Sequence, residues 1–427
     1  MFNFNVNDFD KQKKVCYQIK KDLKDKIFIK ERDKKMKNKG NVRIFKGLTI
    51  NIFLLGLVSL FTDLSSQMVF PLIPLFLTTV LGAGAFAVGI VEGAAETTAS
   101  LLKVVSGYFS DKIRRRKPFV IFGYFLSSIT KPLFAFANLW GFVLFIRIIE
   151  RVGKGLRTAP RDAIIAESAD ESVRGKAYGF HRAMDGFGSI LGAGLACLLL
   201  PILGYRKIFL IAFIPAIIAV IFILFIKEKG VPLKKVEKMS IKLSFKELSI
   251  NLRLFIIVSS IFSLGHFGYA FLLLRAKNIG LADNKAIFLY FLFYIVYTIF
   301  IIPAGILSDK IGRKPVIIIG YLIFAITSFG LIFTSNIYNI LLFFIIYGIF
   351  YAMIDGTQRA FVADLAPEHL KATALGTFHT AIGMVALPGG YIAGILWDKI
   401  DPVATFVYGL VLSLISLLLF MFVKNNK

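Results

Sequence analysis

Gly107-Tyr-Phe-Ser-Asp-Lys-Ile-Arg-Arg-Arg-Lys-Pro118 returns later in the chain as Gly305-Ile-Leu-Ser-Asp-Lys-Ile-Gly-Arg-Lys-Pro315. Each copy lies between two long apolar segments, and each is followed by Gly-Tyr, at Gly123-Tyr124 and Gly320-Tyr321. One charged turn repeated at matching places in two apolar halves marks a duplicated membrane protein. The match extends further: Glu167, Arg174 and Ala177-Tyr-Gly179 correspond to Asp364, Lys371 and Ala374-Leu-Gly376. The expected fold is therefore an all-α membrane protein, with twelve transmembrane helices in two pseudo-symmetric six-helix bundles.

Bulk composition agrees. Hydrophobic residues make up 57% and charged residues 18% of 427, against about 45–50% and roughly 25% in a soluble domain. The apolar residues come in runs of about 20, enough to span roughly 30 Å of hydrocarbon. A net charge of +25 is compatible with nucleic-acid binding, but its distribution argues against it, because Lys and Arg concentrate in alternate connections between apolar runs. Cys16 and Cys197 are the only cysteines, too few for a disulfide framework or a metal cage, and no cofactor is expected. The first 46 residues contain no apolar stretch of signal-peptide length.

Residues 1–46 read as a basic cytoplasmic tail, with 15 Lys/Arg against 6 Asp/Glu. Within it Val15, Ile19, Leu23 and Ile27 recur every four residues, so either a solvated tail or a short amphipathic helix on anionic lipids fits. Apolar segments follow near 48–76, 84–106, 118–138, 140–162, 177–202 and 206–226, then 253–275, 284–306, 315–334, 337–363, 373–397 and 402–423. This gives an N-terminal bundle over 47–226 and a C-terminal bundle over 253–427, joined by a lysine-rich linker at 227–252. The tail, both charged turns and the linker are basic, whereas the connections near 77–86, 138–141 and 334–339 carry no charge. Positive residues gather on the cytoplasmic side, which predicts a multi-pass protein of the cell membrane with both termini in the cytoplasm. Arg275 and Lys277, in the connection near 275–285, are an exception.

With these features the chain, over about residues 47–423, resembles a major facilitator superfamily transporter. That family carries Gly-x-x-x-Asp-Arg/Lys-x-Gly-Arg-Arg/Lys between its second and third helices. Gly107, Asp111, Lys112, Arg115 and Arg116 fit, with Arg114 where Gly is usual; Gly305, Asp309, Lys310, Gly312 and Arg313 fit without that departure. A further stretch, Arg151-Val-Gly-Lys-Gly-Leu-Arg-Thr-Ala-Pro-Arg-Asp162, resembles a subgroup of bacterial and archaeal members. The resemblance implies two bundles rocking about a site near the bilayer midplane, with the charged turns as gating elements or, alternatively, as static clasps. The fourth-helix pattern of proton-coupled exporters is met loosely, by Arg147 and Gly153.

Ionisable groups inside apolar segments cost free energy unless paired or wetted, and each is a candidate site residue. Asp63 lies near the middle of the first segment. Glu92 and Glu96 are one turn apart on the second, where two repelling carboxylates suit a proton carrier; pairing with Lys103, Arg147 or Lys154 is the alternative. On the fourth segment Arg147, Glu150, Arg151, Lys154, Arg157 and Arg161 form one polar stripe. Its end from Arg157 onward is expected to be interfacial, with Pro160 terminating the helix. His181, Arg182 and Asp185 sit on the fifth segment, where Asp185 either orients His181 as a titratable relay or bridges to the fourth. The second half offers His266, His379, and Asp355 with Arg359, the latter two spaced to neutralise each other. Phe267, Tyr269, Tyr294, Tyr297, Phe350 and Tyr351 either supply an opposing wall or, as is commoner for such residues, face lipid.

Three functions are consistent with this inventory. Proton-driven secondary transport of a small organic solute, with export of amphipathic compounds foremost, uses the embedded acids and aromatics. Uptake or exchange of an anionic metabolite uses Arg147, Arg151, Lys154 and Arg182. A transport-silent membrane sensor or scaffold is opposed by the two retained gating turns. An enzyme finds no nucleotide loop, metal cluster or nucleophile constellation. The partners expected are a small-molecule substrate and the bilayer, with the protein acting as a monomer.

Overall fold

The computed structural model describes residues 43–45, 48–113, 115–169, 173–228, 248–367 and 370–424. The Val15–Ile27 periodicity of the tail, most of the linker lysines and Arg114 lie outside the described residues. A short antiparallel hairpin, β1 (Arg43–Phe45) and β2 (Leu48–Thr49), precedes the helices. Among the described residues all regular structure after it is helical, as hydrocarbon demands: a segment that cannot hydrogen-bond to water must satisfy its backbone internally.

The helices of the first half are α1 (Ile50–Val69), α2 (Leu72–Leu75), α3 (Ala85–Ile113), α4 (Lys117–Leu133), α5 (Trp140–Ser168), α6 (Arg174–Ile211) and α7 (Phe213–Leu224). Those of the second are α8 (Ile250–Gly265), α9 (Gly268–Asn278), α10 (Asp283–Ile311), α11 (Arg313–Phe333), α12 (Ile337–Leu365), α13 (Lys371–Lys399) and α14 (Pro402–Met421). Ten helical stretches among the described residues are long and apolar enough to cross a membrane. Two features separate this from the twelve expected. The stretch Arg174–Leu224 runs on for 51 residues through a break at Gly204, whose φ of 68° interrupts α6. And α5 carries too many charges to be counted by hydropathy.

Several helices outlast their apolar runs. Asp111 and Lys112 lie inside α3, and Asp309 and Lys310 inside α10, because hydropathy marks the hydrocarbon and not the end of the hydrogen-bond ladder. α5 continues to Ser168, straight through Pro160. The expectation that Pro160 ends this helix is wrong: proline removes one backbone donor and strains one turn, and the packing on either side holds the helix together.

The duplication is visible bond by bond. Lys117 Nζ donates to Leu224 O at 2.9 Å, and Lys314 Nζ to Met421 O at 3.0 Å. Asn51 Oδ1 accepts from Lys227 N at 3.1 Å, and Asn251 Oδ1 from Lys424 N at 3.3 Å. The carbonyls that end α4 and α11 are each capped by an arginine, exposed at Arg206 and buried at Arg275. Arg206 serves Ala135 and Ala137 (2.6 and 3.2 Å), and Arg275 serves Leu331 and Thr334 (3.2 and 3.0 Å). Arg275, read from sequence as a loop charge, is thus a structural cap.

Between the halves α3 packs on α13 and α6 on α10. A side chain at Gly89 would collide with the carbonyl of Gly390, and one at Gly390 with the carbonyl of Gly89, so the backbones of α3 and α13 touch there. Thr97 Oγ1 donates to Gly383 O at 2.6 Å about two turns nearer the basic turns, and further hydrogen bonds joining the halves lie toward the opposite end. Asp398 accepts from Ala85 N and Phe86 N at 3.0 and 2.8 Å. Lys277 Nζ reaches Thr79 Oγ1 at 3.0 Å, and Tyr205 bonds Asp283. The far end is closed.

Candidate functional site

The polar stripe of α5 faces the interior, where its charges meet acids. Arg147, fully buried, donates through Nη2 to both oxygens of Glu92 at 3.2 and 3.0 Å, and through Nη1 to Glu150 Oε2 at 3.2 Å. Arg151 Nε approaches the same Glu150 oxygen at 3.3 Å. Phe70 lies against both guanidinium groups, 3.9 Å from that of Arg147 and 4.9 Å from that of Arg151. Buried charges persist only when paired in this way. Glu92 therefore takes the paired alternative, with Arg147 as partner, while among the described residues Glu96, one turn on, accepts only from Ser100 Oγ at 3.4 Å. Glu96 and Lys154 are exposed.

Arg157 departs from its expected interfacial place. It is 5% exposed, bonded to Ser127, with its guanidinium 4.4 Å from the Tyr124 ring. The reason is the close approach of α4 and α5, where a side chain at either Gly123 or Gly153 would strike the backbone of the other helix. Arg161 pairs with its neighbour Asp162 at 2.8 Å. Lys131, absent from the sequence inventory, is 1% exposed and donates to Ser65 Oγ at 2.7 Å. It sits beside the α1 turn that carries Asp63, on a helix with no other mid-span charge to draw attention to it.

On α6, His181 Nδ1 lies 3.5 Å from Asp185 Oδ2, and Arg182 Nη1 lies 3.4 Å from the same oxygen. Asp185 also takes a hydrogen bond from Ser59 of α1. Its link is to α1, not to the α5 helix that a structural bridge had suggested.

The second half supplies the facing wall. Tyr269, Tyr290, Tyr294 and Tyr297 form a chain of ring contacts at 5.0, 5.2 and 5.9 Å, continued by Tyr351 at 5.4 Å. Phe267 and Phe350 are buried. These aromatics line the interior, so the expectation that they face lipid is overturned. Their type is common throughout the chain, and only the packing distinguishes interior from periphery. Tyr269 OH reaches Glu92 Oε2 at 3.4 Å, Tyr290 OH donates to Gln67 Oε1 at 2.8 Å, and Gln67 Nε2 donates to Tyr294 OH. Gln67, also missed from sequence, thus joins the two walls.

The break between α8 and α9, where Gly268 has φ 68°, turns His266 toward Tyr347, Nε2 to OH 2.8 Å. Asp355 and Arg359 pair at 2.6 Å, as their spacing predicts, and Tyr297 OH donates to Asp355 at 3.2 Å. His379 stacks edge-on against Phe378. Among the described residues no cluster of three or more His, Cys, Asp or Glu could hold a metal.

Each basic turn is a three-group clasp within its own half. Arg116 bridges Asp111 (3.0 Å) and Glu167 at the end of α5. Arg313 bridges Asp309 and Asp364 (3.5 Å) at the end of α12. The first turn is one residue longer, so Arg116, not Arg115, does what Arg313 does. Arg115 and Lys310 are exposed, and Lys112 Nζ lies 5.9 Å from the Tyr108 ring. Gly107 faces Ala159 of α5, whereas Gly305 has open space around it.

Comparison with known proteins agrees with this architecture. The profile of the Major Facilitator Superfamily matches residues 55–284 and 254–427. An uncharacterised MFS-type transporter of Methanocaldococcus jannaschii is 44% identical over 384 residues, 88% of this chain and 95% of its own. The multi-drug resistance efflux pump PmrA of Streptococcus pneumoniae is 32% identical over 123 residues, 29% of this chain and 31% of the pump. The crystal structure of the nucleoside transporter NupG superposes with a TM-score of 0.71 at 16% identity, covering 89% of this chain and all of NupG.

Proposed function

Because the chain belongs to the Major Facilitator Superfamily, we propose that it is a proton-coupled secondary transporter of a small amphipathic organic solute. In this reading α5 is a crossing despite its charge, and the Arg174–Leu224 stretch divides at Gly204. That makes twelve crossings in two six-helix halves, with both termini in the cytoplasm. One observation carries the proposal: a charged wall on α1, α3 and α5 faces a tyrosine wall on α9, α10 and α12, across a cleft sealed at the far end. A solute bound there touches both halves, so its binding free energy can bias their rocking.

The basic turns lie on the cytoplasmic side in this reading, so this shape faces the cytoplasm. Importers and exporters both visit such a shape, and export as the direction rests on the partial likeness to an efflux pump. Arg147 and Arg151 already share Glu92 and Glu150, which leaves the α5 stripe much less cationic than its sequence implies and weighs against an anion carrier. The test uses proteoliposomes loaded with a pH-sensitive dye and a panel of amphipathic cations, anions and zwitterions. At least one solute is expected to evoke a proton flux that an empty liposome lacks. Solute movement without any proton flux would reject the coupling, and no movement of any panel member would reject the transporter reading.

A further inference from the structure

Asp63, Glu96, Lys103 and Lys154 belong to no ion pair among the described residues, and of these four Glu96 and Lys154 are the exposed ones. Their directions follow from helical geometry at 100° per residue. Glu96 is nine residues from Val105, an exposed apolar residue of α3, and so points to the opposite side of that helix. Lys154 is nine residues from exposed Phe145 on α5 and likewise points away from the apolar periphery. Both therefore face the cleft.

They also stand at one depth. Glu92 meets Arg147, and a side chain at Gly155 would collide with Leu102 and Ala99. Glu96, lying between those contacts on α3, is level with the 151–154 turn of α5. Lys154 lies within electrostatic reach of Glu96, as do His266 and Tyr351 from the other half. The Tyr351 ring continues into Tyr297 and Tyr347 at 5.4 and 6.3 Å.

The geometry points to a zwitterionic solute with an aromatic or apolar body: Glu96 takes its cationic group, Lys154 its anionic group, and the His266–Tyr297–Tyr351 wall its body. A solute of single charge would satisfy one of the two and leave the other facing a like charge or nothing. This rests on the transporter reading above and narrows its substrate class.

The test is a thermal-shift titration of the purified full-length protein with three scaffolds: phenylalanine, tryptophan and phenylalanyl-phenylalanine. Each is supplied as the zwitterion, the methyl ester (cation) and the N-acetyl form (anion). For at least one scaffold the zwitterion should bind roughly tenfold to a hundredfold tighter than either single-charge form, the worth of one charge-assisted contact. Glu96→Gln should abolish the preference over the N-acetyl form, and Lys154→Met the preference over the ester. Ligand-free midpoints of the variants are measured first, to show that both fold. Equal or tighter binding of an ester or N-acetyl form, or no stabilisation by any probe, would overturn the zwitterion. Solute-evoked proton flux in the liposome assay would still stand in that event, which separates the two failures.

Discussion

Arg147 is held by two carboxylates and an aromatic face at once, and its removal would leave Glu92 without its counter-charge and buried Glu150 with Arg151 alone. Arg147→Met is expected to cost about 3–5 kcal/mol, the usual penalty for breaking a buried pair from one side. The measurement is the unfolding midpoint of the detergent-solubilised protein. Adding Glu150→Gln to it should cost less than the two changes summed, since they share one network. Glu96→Gln is expected to abolish uphill transport while sparing counterflow exchange once solute is raised high enough to offset its weaker binding; equal loss of both at saturating solute would reject a proton-carrying role. The α5 charges were legible in the sequence because six of them fall on one helical stripe. Lys131 was not, because a lone cation has no period, and Gln67 was not, because an amide in an apolar run gives no sign of what it will meet across the cleft.

At the scale of elements, α5 and α3 behave differently from their hydropathy. α5 keeps its ladder through Pro160 and carries Arg157 inward, because the contact with α4 at Gly123 and Gly153 leaves nowhere else for that side chain to go. α3 owes its place to Gly89, whose backbone lies on that of Gly390 in α13. Gly89→Val should prise α3 from α13 and loosen the far end. A cysteine placed at Ala83 should then react faster with a membrane-impermeant maleimide added on that side. Gly175→Val, where an added side chain meets nothing, is the control and should leave the rate unchanged. The apolar runs gave the order of these elements, but glycine is common in membrane helices generally, so which glycine marks a backbone contact is set by packing alone.

For the whole molecule, the repeated turn announced duplication, and the paired bonds at Lys117 and Lys314 or Asn51 and Asn251 show it in detail. Which end is shut was not legible, since apolar runs give the helices and not the contacts between the halves. The two clasps, at Arg116 and Arg313, lie within their own halves, partly exposed. Arg116→Ala should therefore cost no more than about 1 kcal/mol and leave the distance between spin labels across the far end unchanged. Asp398→Ala removes a contact between the halves and should lengthen that distance; an unaltered distance would deny Asp398 a part in closure. Asp398 acts as a helix cap that α3, beginning after Gly84, cannot supply from its own chain. When the halves separate, water can solvate the freed amides and the freed carboxylate together. Under the proposed rocking, the polar part of the seal would lose little on opening, which would hold the two shapes close in free energy and let a modest load in the cleft choose between them.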